Sequence, residues 1–299
     1  MSSLSPKSLA SAMGVSESSV KRWADEGHLH VSRTAGGHRR IEVTEALRYI
    51  RETGLPVVDP RPLGLAAEAT FEQPRLSDRE NGEDAALAAA IESGDAEQAR
   101  VLATGMYLAG RSTAAICDGP LTQAMQSVGP LYQEDPDGIC VEHRATDVCF
   151  QTLHELRRLT HALRQPEPHR PQPLAIGGAP GKSQHLLPSL MVASVLEAED
   201  WRAVNFGASL PIASLCRAVH QHRPQVVWLS ISMRNDRPGK AEMSALLHAV
   251  EAVEAELVIG GRAARRRRVD HRWVEPFNTL TEFAAYLRGC RQHNTMEPA

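Results

Sequence analysis

Apolar positions follow a helical period through the first ~165 residues and then alternate between short strand-like runs and helical stretches. Ser5-Pro6 opens a helix over Lys7–Met13. Gly14-Val15 turns the chain tightly, and Ser16 caps a second helix over Glu17–Glu26. Val20 and Trp23 stand three apart on that helix and should face one core. After Gly27 comes a glycine-centred hairpin over Arg33–Ile41. Residues 84–164 read as helices. Ala86–Ile91 stops at Ser93-Gly94, Asp95 caps a helix towards Gly110, and Ser112 caps another through Val128. A long helix then runs from about Val141 to Leu163, with Val148, Leu153, Leu156 and Leu159 on its apolar positions. Four helices in this stretch predict a small four-helix bundle. From Leu174 onward strands are expected at 174–178, 201–207, 226–231 and 256–261. Helices are expected between them at 187–197, 212–221 and 240–255, with a closing helix at 281–288. That alternation predicts a Rossmann-like, doubly wound parallel sheet, whose ligands sit beyond the C-terminal strand ends.

Two proline-dense breaks set the domains. One holds Pro56, Pro60, Pro62 and Pro74, then Asn81-Gly82. The other is Gln165-Pro-Glu-Pro-His-Arg-Pro-Gln-Pro173. The expected organisation is a head at 1–54, a linker at 55–83, a helical cap at 84–164 and an α/β domain at 173–290. The chain is therefore multidomain, α and α/β.

Charge narrows the partners. With 33 Lys and Arg against 36 Asp and Glu, the formal net charge is -3, so nucleic-acid binding must be confined to one basic face. The five cysteines form no C-x-x-C pair and suit a reduced compartment. There is no signal-like start and no long apolar run, so a cytoplasmic protein without membrane contact is expected.

The head carries the first chemistry. A helix, a short glycine turn and a second helix place that second helix in a major groove. Ser18, Ser19, Lys21 and Arg22 are then left for base edges and phosphates. The hairpin lifts Arg33, His38, Arg39 and Arg40 as a wing along the phosphate backbone. Val20-Lys-Arg-Trp-Ala-Asp-Glu-Gly27 together with Arg33-Thr-Ala-Gly-Gly-His-Arg-Arg40 resembles the MerR and excisionase-like family over residues 4–54. The resemblance implies a winged helix-turn-helix head that binds palindromic operator DNA as a homo-oligomer.

It extends to the cobalamin-binding MerR-type regulators of the light-sensing CarH/LitR type, which join this head to a helical bundle and a B12-binding fold. That family places a tryptophan, nine residues and Glu-His over the upper corrin face. Here Tyr132 is followed at the same spacing by Glu142-His143. The resemblance implies that His143 takes the upper axial position on cobalt after photolysis. The family's Asp-x-His-x-x-Gly reads Ser183-Gln-His185-Leu-Leu-Pro188, which makes His185 the lower axial ligand. Ser183 replaces the orienting aspartate and Pro188 the glycine, so weaker ligation is expected. Ser230-Ile-Ser232 and Gly260-Gly261 match the segments that follow the nucleotide tail. Arg265-Arg-Arg-Arg268 is either a solvated loop or a contact for DNA, phosphate or an acidic neighbour.

The resemblance implies a repressor, a dimer or tetramer, controlled by adenosylcobalamin and by light. A second reading stays open, in which the altered module acts without cobalamin, as a protein-partner or oligomerisation surface or with another tetrapyrrole. Nothing in the chain suggests the zinc or acid–base constellation of an enzyme.

Overall fold

The computed structural model describes residues 3–66, 78–131, 137–164, 171–263 and 274–293. They group into two compact units, Met1–Ser112 with Gly119–Gln165, and Thr113–Asp118 with Pro166–Ala299.

In the first unit, helices α1 (Pro6–Met13) and α2 (Glu17–Asp25) form where their caps predict. The Ser5 hydroxyl accepts from the Ser8 N–H at 3.0 Å, and the Ser16 hydroxyl from the Ser19 N–H at 3.1 Å. Gly14 between them takes φ +66°. A side chain there would also meet the Val58 methyl at 2.8 Å. A three-stranded antiparallel sheet, β1 (Ser3–Leu4), β3 (Arg39–Glu42) and β2 (Ser32–Arg33), completes the head. Helix α3 (Val43–Thr53) had no counterpart in the sequence reading. It buries Ala46, Leu47, Tyr49 and Ile50.

The stretch read as linker is partly built into this unit. Val58 and Asp59 donate to the Ala12 carbonyl at 2.8 and 3.1 Å, giving the end of α1 the partners it lacks. Val57 and Leu63 are buried. Helix α4 (Asp78–Ser93) begins inside the same stretch.

The bundle packs α4 with α5 (Ala96–Leu108), α7 (Thr122–Val128) and α8 (Gly138–Leu163). Val148, Leu153, Leu156 and Leu159 are all buried, as their spacing requires. The helix expected from Ser112 to Val128 is not continuous. Pro120 removes a donor and Gly119 departs from helical geometry (φ -83°, ψ -105°), so α6 (Thr113–Ile116) separates from α7. Helix α3 packs on α5 and α8. There the Arg51 guanidinium lies 3.7 Å from the Tyr107 ring centroid and donates to the carbonyls of Tyr107 and Arg111. The Tyr107 hydroxyl is 3.1 Å from Thr160 Oγ1 on α8.

The second unit is a five-stranded sheet of β4 (Leu174–Gly178), β5 (Arg202–Asn205), β6 (Val226–Ser230), β7 (Glu256–Gly260) and β8 (Val274–Pro276). Its order is β5-β4-β6-β7-β8 and every pairing is parallel. Helices α10 (Ile212–His222) and α11 (Lys240–Glu251) cover one face over Ile176, Leu215, Val227 and Leu257. Helices α9 (Leu187–Ala198) and α12 (Leu280–His293) serve the other, over Ala175, Leu196, Trp228 and Phe283. Helix α6 joins this second core through Ala114. Asp118 then accepts from the N–H groups of Leu280 and Thr281 at 2.9 and 2.8 Å, satisfying the start of α12. The chain order reverses between β4 and β6, which makes their C-terminal ends the switch point where ligands of such sheets bind.

Candidate nucleic-acid interface and ligand-binding rim

Helix α2 turns Val20 fully inward and leaves Ser18, Lys21 and Arg22 exposed. Trp23 is half-buried against Tyr49 of α3, ring centroids 5.2 Å apart. The Ser18 and Ser19 hydroxyls each lie 2.8 Å from Ser16 Oγ, so the cap holds both serines at the helix start. Lys21 pairs with Glu17 at 2.7 Å, and its hydrogen bond and charge draw the Glu17 carboxyl below its usual range.

The wing is a hairpin between β2 and β3 with Arg33 opposite Arg39. Its turn closes through Thr34 N–H to the His38 carbonyl at 2.9 Å, with Gly37 at φ +78°. Arg33, His38 and Arg40 are exposed. Arg39 is not part of that free set. Its guanidinium donates to Asp25 Oδ1 at 2.5 Å and to the Lys21 carbonyl at 3.3 Å. It therefore braces the wing against α2, an arrangement that differs from the free cation expected of a phosphate contact. Asp25, its partner, was missed, although it lies inside the motif that identified the head.

In the second unit, the loop after β4 carries His185 to the switch point. Ser183 is buried, and its carbonyl accepts from the Ser209 N–H at 2.8 Å and hydroxyl at 3.1 Å. This fixes its hydroxyl 3.5 Å from His185 Nδ1. His185 itself is exposed, and its Nε2 has no hydrogen bond among the described residues. On the loops that follow β4, β5 and β6, Leu186, Phe206 and Met233 are 36%, 37% and 41% exposed. Large apolar side chains left open at a switch point form a rim suited to a flat apolar ligand. Pro188 lies in the first turn of α9, where its missing N–H costs no hydrogen bond, so it fits the helix start.

Ser230 and Ser232 are buried at the end of β6. Gly261 has φ +105°, and a Cβ on it would lie 2.5 Å from the Ile231 carbonyl oxygen. Neighbouring backbone alone accounts for its lack of a side chain. A Cβ on Gly260 would meet nothing closer than 4.0 Å.

In the first unit, Glu142 and His143 lie one turn into α8. His143 Nε2 is 3.6 Å from Glu142 Oε2, and Thr146 Oγ1 donates to Glu142 Oε1 at 3.0 Å. The His143 side chain is 75% exposed. Tyr132 and Arg265–Arg268 lie outside the described residues. No group of three or more potential metal-ligating side chains occurs among the described residues, and no described helix is long and apolar enough to cross a membrane.

No family model matches the chain. It is 29% identical over 271 residues to the HTH-type transcriptional repressor CarA of Myxococcus xanthus, a match that spans 87% of this chain and 86% of the relative. That match takes in both the helix-turn-helix head and the α/β unit. The monomethylamine corrinoid protein of Methanosarcina barkeri superposes with a TM-score of 0.50 at 14% identity, covering 68% of this chain and 96% of that protein. At that identity the likeness concerns the fold.

The residues at the strand ends meet a cobalamin, the group this fold implies, only in part. The strand-end loops suit a corrin ring, because they carry an exposed histidine, Ser183 Oγ 3.5 Å from its Nδ1, and three exposed apolar side chains. The layer beneath does not fit a nucleotide tail. Gly177 on β4 is covered by Trp228 of β6: a Cβ there would lie 2.2 Å from the Trp228 carbonyl oxygen and 2.4 Å from the indole, which fills the layer beside it. The Trp228 Nε1–H donates to Ser189 Oγ at 3.0 Å, and Ser189 donates to Asn205 Oδ1 at 2.8 Å. Trp228 falls within the strand expected at 226–231, where residue type alone marks it as apolar. A bulky indole in register with a glycine pair was the available signal.

Proposed function

We propose that this chain is a cytoplasmic DNA-binding transcriptional regulator, a repressor, that acts as a homo-oligomer and responds to cobalamin bound at the rim of its α/β unit. The observation that carries the proposal is the extent of the match to a transcriptional repressor, which runs through 87% of the chain and so includes both head and α/β unit. The exposed set of Ser18, Lys21, Arg22, Arg33, His38 and Arg40 supports DNA binding, with Ser19 half-buried at the same helix start. A single head of this size makes few contacts, which is why paired heads on a palindromic operator are part of the proposal.

His185 would hold the cobalt from below, with Ser183 steadying its ring. Serine adds a hydrogen bond but no charge, so the ligand is less basic than one backed by a carboxylate. Tyr132, Glu142 and His143 would serve the upper face. Ser230, Ser232, Gly260 and Gly261 would border the strand ends. When bound, adenosylcobalamin supplies what no side chain can, an alkyl–cobalt bond that visible light cleaves. His143 would then be the replacement ligand, and light would alter operator affinity through the oligomer. The chain would not act as an enzyme.

The replacements Ser183 and Pro188 favour a second reading. In it the unit acts without cobalamin, as a protein-partner or oligomerisation surface, or holds another tetrapyrrole. The deciding experiment titrates the purified chain with adenosylcobalamin in the dark and then in light, following visible absorption, mass and anisotropy of a labelled duplex from its own promoter. A spectral change with a light-dependent shift in mass and DNA affinity is expected. Sequence-specific DNA binding indifferent to cobalamin would establish the second reading. Binding no tighter than to random duplex would overturn both.

A further inference from the structure

We infer that Trp228 selects the ligand of the rim: the α/β unit takes a corrinoid or similar flat macrocycle whose appended nucleotide stays outside the protein. This rests on the cofactor reading above and sharpens it to one chemical class. The route from the rim into the layer between β4 and α9 begins at Gly177, where the strand carries no side chain on that face. In a glycine-lined strand such a bare stretch would admit a ligand. Here the Trp228 indole, 1% exposed, lies across it. Its ring nitrogen is tied to Ser189 in the first turn of α9, itself fully buried. Ser189 is tied to Asn205 at the end of β5, and Asn205 Oδ1 accepts the Gly207 N–H at 3.0 Å. One hydrogen-bonded line therefore closes the layer beneath three adjacent strand ends. Displacing the indole would leave its N–H unpaired and break that line, a cost that a ring resting on the rim does not incur.

A base displaced from cobalt by His185 thus has no path downward. The site should favour corrinoids in which no base has to be displaced, which singles out cobinamide, the ring without its nucleotide.

The test compares hydroxocobalamin with diaquocobinamide on the full-length chain, by visible absorption titration and by quenching of tryptophan fluorescence. Wild type should bind cobinamide at least as tightly as cobalamin. Trp228→Ala, which opens the lane, should shift the ratio of the two dissociation constants towards cobalamin by about tenfold or more, the scale on which a site's shape discriminates ligands. Trp228→Val keeps a strand-forming residue and should give a smaller shift in the same direction. Both variants are checked by circular dichroism. The wild-type ratio itself needs no variant. Wild type preferring cobalamin by an order of magnitude, or folded variants with an unchanged ratio, would overturn the inference while leaving the cofactor reading intact. Failure of either corrinoid to bind wild type would overturn the cofactor reading and this inference with it.

Discussion

The Arg39 guanidinium, at the base of the wing, lies 2.5 Å from the Asp25 carboxylate at the end of helix α2. The two elements expected to touch DNA are thereby joined by an ion pair within the head. Asp25 is 61% exposed and Arg39 only 19%, so the pair is worth about 1 kcal/mol or less, yet it sets where the wing points.

Removing either partner should therefore weaken operator binding in the same direction. Asp25→Ala and Arg39→Ala are each expected to lower affinity about fivefold, the equivalent of roughly 1 kcal/mol. If Arg39 instead contacted phosphate, Asp25→Ala would free it and tighten binding. Fluorescence anisotropy on both variants separates the two.

The exposed cations should divide by salt dependence. Arg33→Ala and Arg40→Ala, on the wing, should each reduce the slope of log affinity against log salt by about one and weaken all sequences alike. Arg22→Ala, on α2, should also relax sequence preference and cost about 1–3 kcal/mol. Competition with random duplex at several salt concentrations reads both effects.

Arg51 holds α3 against α5. Its half-buried guanidinium stacks on Tyr107 and serves two carbonyls, and desolvation pushes its pKa below the ordinary arginine value. Arg51→Ala should destabilise the first unit by about 2 kcal/mol, and Arg51→Lys should recover little, because lysine lacks the planar fork. Thermal unfolding measures the loss. Hydrogen exchange should speed up across Val43–Thr53.

Glu45 gives the head an acid-sensitive component. Burial pushes its carboxyl up, but donors from Arg48, the His30 backbone and the His30 ring outweigh burial and leave the net value below 4.5. A depressed carboxyl stabilises above its unfolded pKa, and that stability is lost as pH falls through the folded value. Unfolding midpoints should therefore decline below about pH 4.5. Glu45→Gln should be less stable at pH 7 and show a flatter acid limb.

Asp118 caps α12 from far away in sequence. Asp118→Ala should cost about 1–2 kcal/mol in the second unit, with Asp118→Asn recovering much of it. Denaturant melts followed by tryptophan fluorescence test this, since Trp201 and Trp228 both lie in the core that α12 covers.

The head was legible because its signals are local. Ser5, Ser16 and Gly14 are caps and a turn, and they fold as caps and a turn. Alternating runs likewise placed four of the five strands. The fifth, Val274–Pro276, is three residues long and leaves too little pattern to read. Helix α3 escaped because no separate cap precedes it: β3 runs straight into it through Glu42. The break at Gly119-Pro120 was visible as residues, but its consequence depends on what α6 packs against. The pairing of Arg39 and the place of Trp228 were out of reach for a shared reason. Each has a partner across the fold, and residue type alone does not disclose a partner.

The membership of Thr113–Asp118 in the second unit has a consequence for how this architecture can be cut and recombined. Thr113, Ala114 and Ile116 are buried, yet they are encoded more than fifty residues before β4. A fragment beginning at the proline-dense break would carry all five strands and still lack part of its own core. It would also leave the first turn of α12 without its acceptor. The α/β module is thus not a detachable cassette. Exchange between relatives should fail when the crossover falls at residue 166, and one just upstream of Thr113 would divide the bundle instead; only a crossover before α4 keeps both cores whole.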